Sequence, residues 1–387
     1  ADYLLEQDDV VESKDLAQKS RDADANTQPS IRLKSPSVAG TADLVWTPTP
    51  QEKRNSWEQS ERMSSMEHCM LGQCRQSGIR LNASSTEYLE PRLKNGVKVA
   101  GLQDVLNKMQ ESMTKKQQEN KVCTLYFLGD SLTSDTTMAA VCTLVNTMGY
   151  QITRCKSDWL GGPAYGLDRE FCERNNLVDK AFESQTMQQI SYFELENEDA
   201  TAPCHKVRVK MGLELMTNAT GFTNVKKIFE GGKMNDEYGL LIASRGVHCN
   251  SPECMQDYMR NHLQPLLTAP SDDNYQFLWR EHEPQHFGHN PGAAFALGNT
   301  TNNMGCGPPR NGVYNNFRNE IAETFLREHG FLGNGTSQIQ GIVRIYDALK
   351  PLWGLHQDKD CTHYCFSPWR FEATWHGIYQ AMIGNAQ

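Results

Sequence analysis

Apolar residues beyond residue 100 follow two alternating patterns, one typical of helices and the other of buried strands. Residues 102–115 carry apolar side chains at helical spacing. The next apolar run, 122–128, is short and nearly continuous, as expected of a strand that is buried on both faces. Residues 131–148 then have the length and composition of a second helix, which the glycine at position 149 ends.

The same alternation continues to the C-terminus. Short apolar runs predict strands at 206–211, 238–243, 275–279 and 341–346, and longer segments predict helices at 253–267, 313–329 and 371–382. Strands separated by helices favour a mostly parallel sheet, because a parallel connection usually crosses over the sheet as a helix. We therefore predict an α/β fold for residues 101–387, a three-layer α/β/α sandwich. The segments 160–205 and 285–311 follow neither pattern and predict long loops, which are often functional.

The first hundred residues are more polar than the rest. Residues 1–55 are charged and contain few large apolar side chains, which is typical of a disordered stem. The alternative is an arm that packs on the domain through the short apolar run 44–46. Residues 56–100 show no sustained periodicity, and we expect them to form an irregular segment that packs on the following domain.

The charge balance restricts the possible partners. The chain has 387 residues and a formal net charge of −9, whereas proteins that bind nucleic acids usually concentrate positive charge, so we expect no nucleic-acid partner. The sequence contains no apolar run of the roughly 18 residues that a membrane helix requires. Because it begins with Ala1 rather than Met, we expect that a signal or a membrane anchor precedes this chain. The sequence leaves the oligomeric state open.

Twelve cysteines favour a disulfide framework, since an even and high number is typical of an oxidising compartment. Scattered buried thiols in a cytosolic enzyme are the alternative. Cys361 and Cys365 are each expected to pair outside their own loop, one of them with Cys306. No paired CxxC spacing indicates a structural zinc, and we expect no metal site. Four glycosylation sequons also favour the secretory pathway, at Asn82, Asn218, Asn299 and Asn334.

The clearest chemical signal follows the predicted strand at 122–128. This strand leads directly into Gly129, Asp130 and Ser131, so the serine stands at the start of the next helix. In an open α/β sheet the carboxyl ends of the strands face the ligand crevice, and a helix N-terminus there can stabilise a developing oxyanion. A serine at this position can act as a nucleophile, or it can simply cap the helix.

A second segment near the C-terminus supplies the base that such a serine requires. Asp360 and His363 stand three residues apart in the sequence Asp-Cys-Thr-His-Tyr-Cys. A histidine takes the proton of a serine most effectively when a carboxylate fixes its tautomer. The alternative is that Asp360 caps a turn and His363 lies on the surface. The presence of both segments, in this order, favours a Ser–His–Asp catalytic triad.

Together the two segments resemble the SGNH/GDSL superfamily. The Gly-Asp-Ser-Leu that contains Ser131 and the Asp-x-x-His from Asp360 to His363 are most similar to the PC-esterase group, which includes plant trichome-birefringence-like polysaccharide O-acetyltransferases. The resemblance covers roughly residues 120–387. It implies an SGNH-hydrolase-like fold, a nucleophilic role for Ser131, and roles for Asp360 and His363 as the carboxylate and the base of the triad.

The resemblance also implies an oxyanion hole. The backbone N–H of Ser131 is its first donor, and a glycine in the loop after the next strand is the second, for which Gly162 is the match in this sequence. Ser244 stands where the group usually has an asparagine, and its hydroxyl can also donate. The cysteine-rich N-terminal module of the plant proteins is not recognisable in residues 60–100, so we expect a divergent member.

Substrate contacts are expected from charged and aromatic residues near these segments. Arg245, Arg280 and His286 lie in two stretches that match the group loosely. They could bind an anionic or hydroxyl-rich acceptor, whereas structural ion pairs are the ordinary role of an arginine. Trp159 and Trp369 are candidates for the walls of the crevice, although tryptophans also pack in protein cores.

The function that this resemblance implies is acyl transfer through an acyl-serine intermediate. The acceptor would be a hydroxyl of a polysaccharide or glycan, and the enzyme an O-acetyltransferase of the Golgi lumen or a secreted one. No tightly bound cofactor is expected, and acetyl-CoA or another acetyl ester would serve as the acyl donor. Two alternatives stay open. One is a GDSL-type esterase that hydrolyses acetyl or other acyl esters, and the other is a secreted binding module without catalysis.

Overall fold

The computed structural model describes most of the chain beyond residue 42. The described residues are 43–64, 69, 71, 88–156, 172–173, 175–178, 190–199, 202–213, 236–246, 248–268, 274–287, 306–308, 314–332, 339–357 and 360–384. Residues 1–42 lie outside them, and so do most of the segments 157–189, 214–235 and 288–313.

Strands and helices alternate along most of the described chain. The strands are β1 Leu44–Pro48, β2 Leu89–Leu93, β3 Val122–Gly129, β4 Gln151–Lys156, β5 Ile190–Glu196, β6 Lys206–Leu213, β7 Glu237–Ala243, β8 Tyr275–Arg280, β9 Ile339–Val343, β10 His356–Gln357 and β11 Asp360–Tyr364. The helices are α1 Gln51–Ser64, α2 Leu102–Ser112, α3 Lys115–Asn120, α4 Ser131–Asn146, α5 Pro252–Tyr258, α6 Gln264–Leu267, α7 Phe317–Glu328, α8 Tyr346–Leu349 and α9 Pro368–Ile383. A π-helical turn, Met259–Leu263, joins α5 to α6, and a 3₁₀ turn, Lys350–Leu355, follows α8. Within the described residues, no helix is both long and apolar enough to cross a membrane.

A mostly parallel sheet of seven strands forms the centre of the fold, in the order β4-β5-β6-β3-β7-β8-β9. The strands β6, β3, β7, β8 and β9 run parallel to one another, while β5 lies antiparallel between β4 and β6. The carboxyl ends of the five parallel strands therefore meet at one edge of the sheet. This is the edge at which open α/β sheets bind ligands.

Side chains of β3 alternate between two cores, one on each face of the sheet. Leu125 and Phe127 pack in a core that includes residues of α2, α4 and α9. Tyr126 and Leu128 pack in a second core with residues of α5 and α7. Because successive strand side chains point to opposite faces, helices must cover both faces of the sheet. The predicted α/β class, with a mostly parallel sheet between two helical layers, is confirmed.

Two element predictions require correction. The predicted strand at 341–346 ends earlier, at Val343, because the carboxylate of Glu281 accepts the N–H groups of Ile345 and Tyr346 and so supports the start of α8. The segment 160–205 is not wholly irregular, since it contains β5. Polar and apolar residues are mixed along that strand, and it pairs antiparallel with both of its neighbours.

The described part of the domain also begins before the predicted boundary at residue 55. β1 and β2 form a separate antiparallel pair, and α1 follows β1 with its Trp57 buried. The indole N–H of Trp46 donates to the carbonyl oxygen of Ala348 at 2.7 Å, which ties β1 to α8. Residues 44–55 thus form an arm that packs on the domain, which was the alternative interpretation. The prediction of a disordered stem now concerns only residues 1–42, which lie outside the described part of the chain.

Disulfides tie the described elements together. Five are formed among these residues, Cys69–Cys142, Cys123–Cys204, Cys155–Cys172, Cys249–Cys254 and Cys306–Cys361. Cys361 therefore has the partner expected for that loop. Cys365 is disulfide-bonded as well, and its partner must lie outside the 360–365 loop because Cys361 is already paired. Disulfides in this number fit an oxidising compartment such as the secretory pathway.

Candidate active site

The candidate nucleophile stands where β3 turns into α4. Asp130 caps this helix, because its Oδ1 accepts the N–H of Leu132 at 3.1 Å. Ser131 is the first residue of α4, at the carboxyl edge of the sheet. The turn requires a glycine at position 129, since a Cβ there would collide with the carbonyl oxygen of Ser244.

Ser131 and His363 are in direct contact although they are 232 residues apart in the sequence. The Oγ of Ser131 lies 2.7 Å from the Nε2 of His363, which is the distance of a hydrogen bond. Both side chains are buried, with 6% and 4% of their surface exposed. A histidine in this position can take the proton of the serine as its oxygen attacks a carbonyl carbon.

The short strand β11 carries His363, and several bonds fix it. It pairs antiparallel with β10. The disulfide Cys306–Cys361 ties it to the segment around residue 306, and the N–H of His286 donates to the carbonyl oxygen of Cys361 at 2.9 Å. The Nε2 of Gln285 donates to the Oγ1 of Thr362 at 3.0 Å. These bonds precede and follow the histidine closely, so they restrict where its ring can lie.

Asp360 is the first residue of β11, and its backbone pairs with Gln357 of β10. The strand therefore places the backbone of the expected triad carboxylate three residues before His363. The side chain of Asp360 lies outside the described part of the chain. Its role in orienting the histidine ring stays a prediction.

Asp130 also ties the serine turn to the loop after β7. Its Oδ2 accepts the N–H of Gly246 at 3.2 Å. Burial alone would raise the pKa of this carboxyl, but its electrostatic interactions with the basic side chains around it, His282 and Arg245 foremost, hold that pKa below its usual value. The ionised carboxylate can therefore accept both N–H bonds. A side chain at position 246 would collide with the ring of His282, so this loop requires its glycine.

A buried ion cluster supports the first turn of α4. Glu283 binds Arg280 at 2.9 Å through one carboxylate oxygen and Arg370 at 2.7 Å through the other, and none of the three side chains is more than 1% exposed. Arg280 also donates to the Oγ1 of Thr133 in α4, at 3.2 Å. Buried charges persist when they are paired in this way. The structure thus places Arg280 in a structural ion pair, which is the alternative to a substrate contact.

His286 lies in the protein interior and contacts β11 through its backbone. It is fully buried, its Nε2 lies 3.0 Å from the carbonyl oxygen of Lys350, and its Nδ1 lies 2.7 Å from the Nε2 of His356. Burial lowers the pKa of His286 to about 4, although its bond to Lys350 and the charge of Glu283 act in the opposite direction. A neutral ring in this position supports the strand that carries His363 rather than the surface that a substrate would meet.

Ser244 and Arg245 are brought close to the serine turn. Ser244 follows β7 directly, and its N–H donates to the carbonyl oxygen of Leu128 in β3 at 2.9 Å. Both residues are buried, and the guanidinium of Arg245 lies 5.1 Å from the ring centre of Tyr258. Their predicted roles in the oxyanion hole and in substrate binding stay predictions. Gly162 and Trp159 lie outside the described residues, as do all four sequon asparagines.

Trp369 is buried among other aromatic side chains. Its ring packs against Trp57 of α1 and Tyr88, with centroid distances of 6.5 and 5.8 Å. It lines a cavity of about 690 Å³ together with Thr147 and Met148, which follow the C-terminus of α4, whereas Ser131 forms the N-terminus of that helix. Trp369 thus packs among aromatic side chains, and its predicted place in the wall of the crevice stays a prediction.

Several supporting residues carried no clear sequence signal. Asp130 stood next to the serine, and its capping role could have been recognised from its position before the helix. Glu283, Arg370 and His356 meet only because of the tertiary fold, and their spacing in the sequence is uninformative. Among the described residues, no group of three histidine, cysteine or carboxylate side chains could hold a metal ion.

No family model matches the sequence, and no curated protein matches it either. The function of this chain is therefore inferred from the site and from the motifs that form it. These motifs are a serine at a helix N-terminus on the carboxyl edge of the sheet, and a histidine that a disulfide-linked strand holds within hydrogen-bond distance of that serine.

Proposed function

We propose that this chain is an acyl-transferring enzyme in which Ser131 forms the acyl-enzyme and His363 is the general base. The observation that carries the proposal is the 2.7 Å distance between the serine oxygen and the Nε2 of the histidine. The capping alternative for Ser131 is weakened because Asp130 caps α4 instead. A second support is the position of the pair at the carboxyl edge of the sheet, where a substrate can approach.

The reaction consists of two acyl transfers with balanced proton movements. His363 accepts the proton of Ser131 as the serine oxygen attacks the acyl carbon of the donor, and it then returns this proton to the leaving group of the donor. In the second half His363 takes the proton of an acceptor hydroxyl. The acceptor oxygen attacks the acyl carbon, the ester bond to Ser131 breaks, and the proton returns to the serine.

The N-terminus of α4 is suited to the charge that develops on the acyl oxygen. Its first N–H groups and the helix dipole supply positive potential at Ser131. The resemblance to the SGNH/GDSL group assigns the N–H of Ser131 as one donor and adds Gly162 and Ser244. Asp130 fixes the geometry of this corner by binding one N–H of α4 and one of the loop after β7.

The proposed acceptor is a carbohydrate hydroxyl and the proposed acyl group is acetyl. The support is the similarity of the segment from Asp360 to Cys365 to the polysaccharide O-acetyltransferases of the PC-esterase group. Acetyl-CoA or another acetyl ester is the proposed donor, as a substrate rather than a bound cofactor. The disulfides support an oxidising compartment, for which we propose the Golgi lumen.

The test is an assay that weighs acetylated sugar against free acetate. The protein is incubated with an acetyl donor, with and without a panel of oligosaccharides, and both products are quantified by mass spectrometry. We expect acetylated sugar to exceed free acetate with at least one acceptor, because a bound acceptor can reach an effective molarity of about 10⁵ M or more. Free acetate as the main product with every acceptor would instead favour the GDSL-type esterase.

Two variants serve as controls for this assay. Ser131→Ala is expected to form neither product. Ser134→Ala removes the same atom one turn further along α4 and is expected to retain turnover. If Ser131→Ala and the wild type gave equal amounts of product, turnover would not depend on this serine, and the assignment of Ser131 as the nucleophile would be wrong.

A further inference from the structure

Two buried histidines connect the strand of His363 to the 3₁₀ turn that precedes it. The Nε2 of His286 lies 3.0 Å from the carbonyl oxygen of Lys350, and its Nδ1 lies 2.7 Å from the Nε2 of His356. The Nδ1 of His356 in turn lies 2.8 Å from the carbonyl oxygen of His363. The three contacts thus end on the backbone of the proposed general base.

These three contacts require three protons. A carbonyl oxygen can only accept, so the Nε2 of His286 and the Nδ1 of His356 must both carry a proton. A neutral imidazole has a single N–H, so two neutral rings would face each other with two lone pairs. That arrangement is repulsive at 2.7 Å, whereas one additional proton turns it into a charge-assisted hydrogen bond. One of the two rings must therefore be an imidazolium.

The surroundings place the additional proton on His356. Burial lowers the pKa of His286 to about 4, so His286 is the neutral partner that accepts through its Nδ1. His356 stacks on the ring of Tyr364, with ring centres 3.9 Å apart and an angle of 28° between the planes. The face of an aromatic ring attracts a cation, and this contact favours the charged form of His356.

Other charged and titratable groups face the pair from several elements. They are Glu283 with its partners Arg280 and Arg370, Lys350 with Asp347, the phenols of Tyr314, Tyr346 and Tyr364, and His363 itself. Glu283 favours a cation at the pair. Arg370 opposes it, since its guanidinium lies 4.4 Å from the centre of the Tyr364 ring. These charges shift the pH at which the proton leaves, but none of them supplies a proton to the contact between the rings.

A metal ion does not explain the contact between the two rings. Two nitrogens bound to one tetrahedral Zn²⁺ at about 2.0–2.1 Å each would lie about 3.3 Å apart. The nitrogens of His286 and His356 are closer than this, at 2.7 Å. A shared proton accounts for the distance.

We propose that His286 and His356 are positioning residues whose shared proton holds the strand of His363 in place. With the proton bound, His356 donates to His286 and to the carbonyl oxygen of His363 at the same time. When the proton leaves, His356 keeps one N–H and one of these two links opens. Raising the pH therefore loosens the strand that presents the base to Ser131. The effect on turnover rests on the proposed function, whereas the protonation of His356 does not.

The protonation of His356 is tested directly by ¹⁵N NMR of protein labelled at its histidine rings. An imidazolium shows two similar, protonated nitrogens, whereas a neutral ring shows one protonated and one unprotonated nitrogen. The signals of His356 are those that disappear in His356→Gln. We expect the imidazolium pattern at pH 7, above the ordinary histidine pKa of about 6.5. A neutral pattern for His356 at pH 7 would overturn the proposal.

Variants of His286 test the link to catalysis. His286→Phe removes the acceptor, and we expect the pH at which His356 loses its proton to fall by about 1–2 units, the equivalent of one charge-assisted hydrogen bond. The decline of kcat at high pH should move down with it while KM changes little. His286→Gln keeps a donor for Lys350 and an acceptor for His356. In this variant the pH at which His356 loses its proton should therefore stay close to the wild-type value. His205→Gln, at an exposed position, should change neither quantity.

The outcomes separate the two proposals. If the wild type shows no turnover with any acyl donor, the proposed function fails, and the NMR pattern still decides the protonation of His356. If turnover is present and the high-pH decline is the same in His286→Phe, His286→Gln and wild type, the positioning role is wrong. If His286→Phe does not fold, the wild-type NMR pattern still decides the protonation of His356, and a wild-type titration that shows kcat unchanged while His356 loses its proton would contradict the positioning role.

Discussion

At the scale of single residues, the hydroxyl of Ser131 faces His363 because the neighbouring Asp130 caps α4. A serine that caps its own helix would direct its oxygen towards the backbone N–H groups of the first turn. Here the aspartate takes that role, and it also binds Gly246 across the sheet edge. Because Asp130 caps the helix, the hydroxyl of Ser131 is available to act as a nucleophile.

Substitution of either member of the pair should abolish turnover. We expect Ser131→Ala and His363→Ala each to lower kcat by about 10⁴-fold or more, because the serine is a weak nucleophile without its base. The double variant should be little worse than either single variant, since residues that act as a unit do not contribute additively. The measurement is steady-state turnover of an activated acetyl ester. Additive losses would show that the two residues do not act together.

At the scale of elements, β11 is a short strand that pairs with the two residues of β10, and tertiary bonds hold it in place. Its pairing with β10 is short and irregular. The disulfide to Cys306, the N–H of His286 and the side chain of Gln285 add bonds at neighbouring positions. A catalytic base on so short a strand depends on such bonds, because a displacement of about 1 Å can cost about 10²-fold in rate.

Removal of the Cys306–Cys361 disulfide should therefore affect rate as well as stability. The two cysteines are 55 residues apart, and loss of a bond that closes a loop of this length costs about 4 kcal/mol in the chain-entropy account. For the double variant Cys306→Ser/Cys361→Ser we expect this loss together with a fall in kcat of about 10-fold or more. Unfolding by denaturant and steady-state kinetics measure the two effects.

The matched control is the double variant Cys155→Ser/Cys172→Ser. Its disulfide closes a loop of 17 residues and starts from β4, the edge strand that lies three positions from β3. Its removal should cost about 3 kcal/mol of stability and leave kcat nearly unchanged. An equal fall in kcat for both double variants would mean that the 306–361 disulfide has no particular influence on the base.

At the scale of the whole molecule, several polar and charged side chains are buried around the serine turn. His282 is nearly fully buried, and burial lowers its pKa to about 3, although the charge of Asp130 acts in the opposite direction. An unfolded chain restores its ordinary pKa of about 6.5. Below that pH the unfolded state binds the proton and the folded state does not, so acid favours unfolding.

The free energy of unfolding should therefore fall as the pH decreases from about 6.5 towards 3. His282 alone should account for about 2 kcal/mol of the loss between pH 7 and pH 5. In His282→Gln this part of the pH dependence should be absent, whereas His205→Gln at an exposed position should keep the wild-type slope. Urea unfolding at several pH values measures it. A wild-type slope in His282→Gln would mean that His282 is protonated in the folded state.

The central strands could be predicted from the sequence because each is marked by an apolar run within its own few residues. A continuous apolar run such as 122–128 identifies a buried strand wherever it occurs. β1, β4 and β5 were missed because strands that mix polar and apolar residues resemble loops, and only their partners stabilise them. The contact of Ser131 with His363 was expected from two motifs. The roles of Glu283, Arg370 and His356 were not, since each depends on partners far away in the sequence.

The central claim is that His363 activates Ser131 as a nucleophile, and covalent labelling tests it most directly. A fluorophosphonate probe reacts with activated serines, and mass spectrometry of the digested protein identifies the residue that carries it. We expect a single adduct on Ser131, none on Ser131→Ala, and labelling of His363→Gln that is slower by about 10²-fold or more. Labelling of His363→Gln at the wild-type rate, or an adduct on another residue in place of Ser131, would contradict the account.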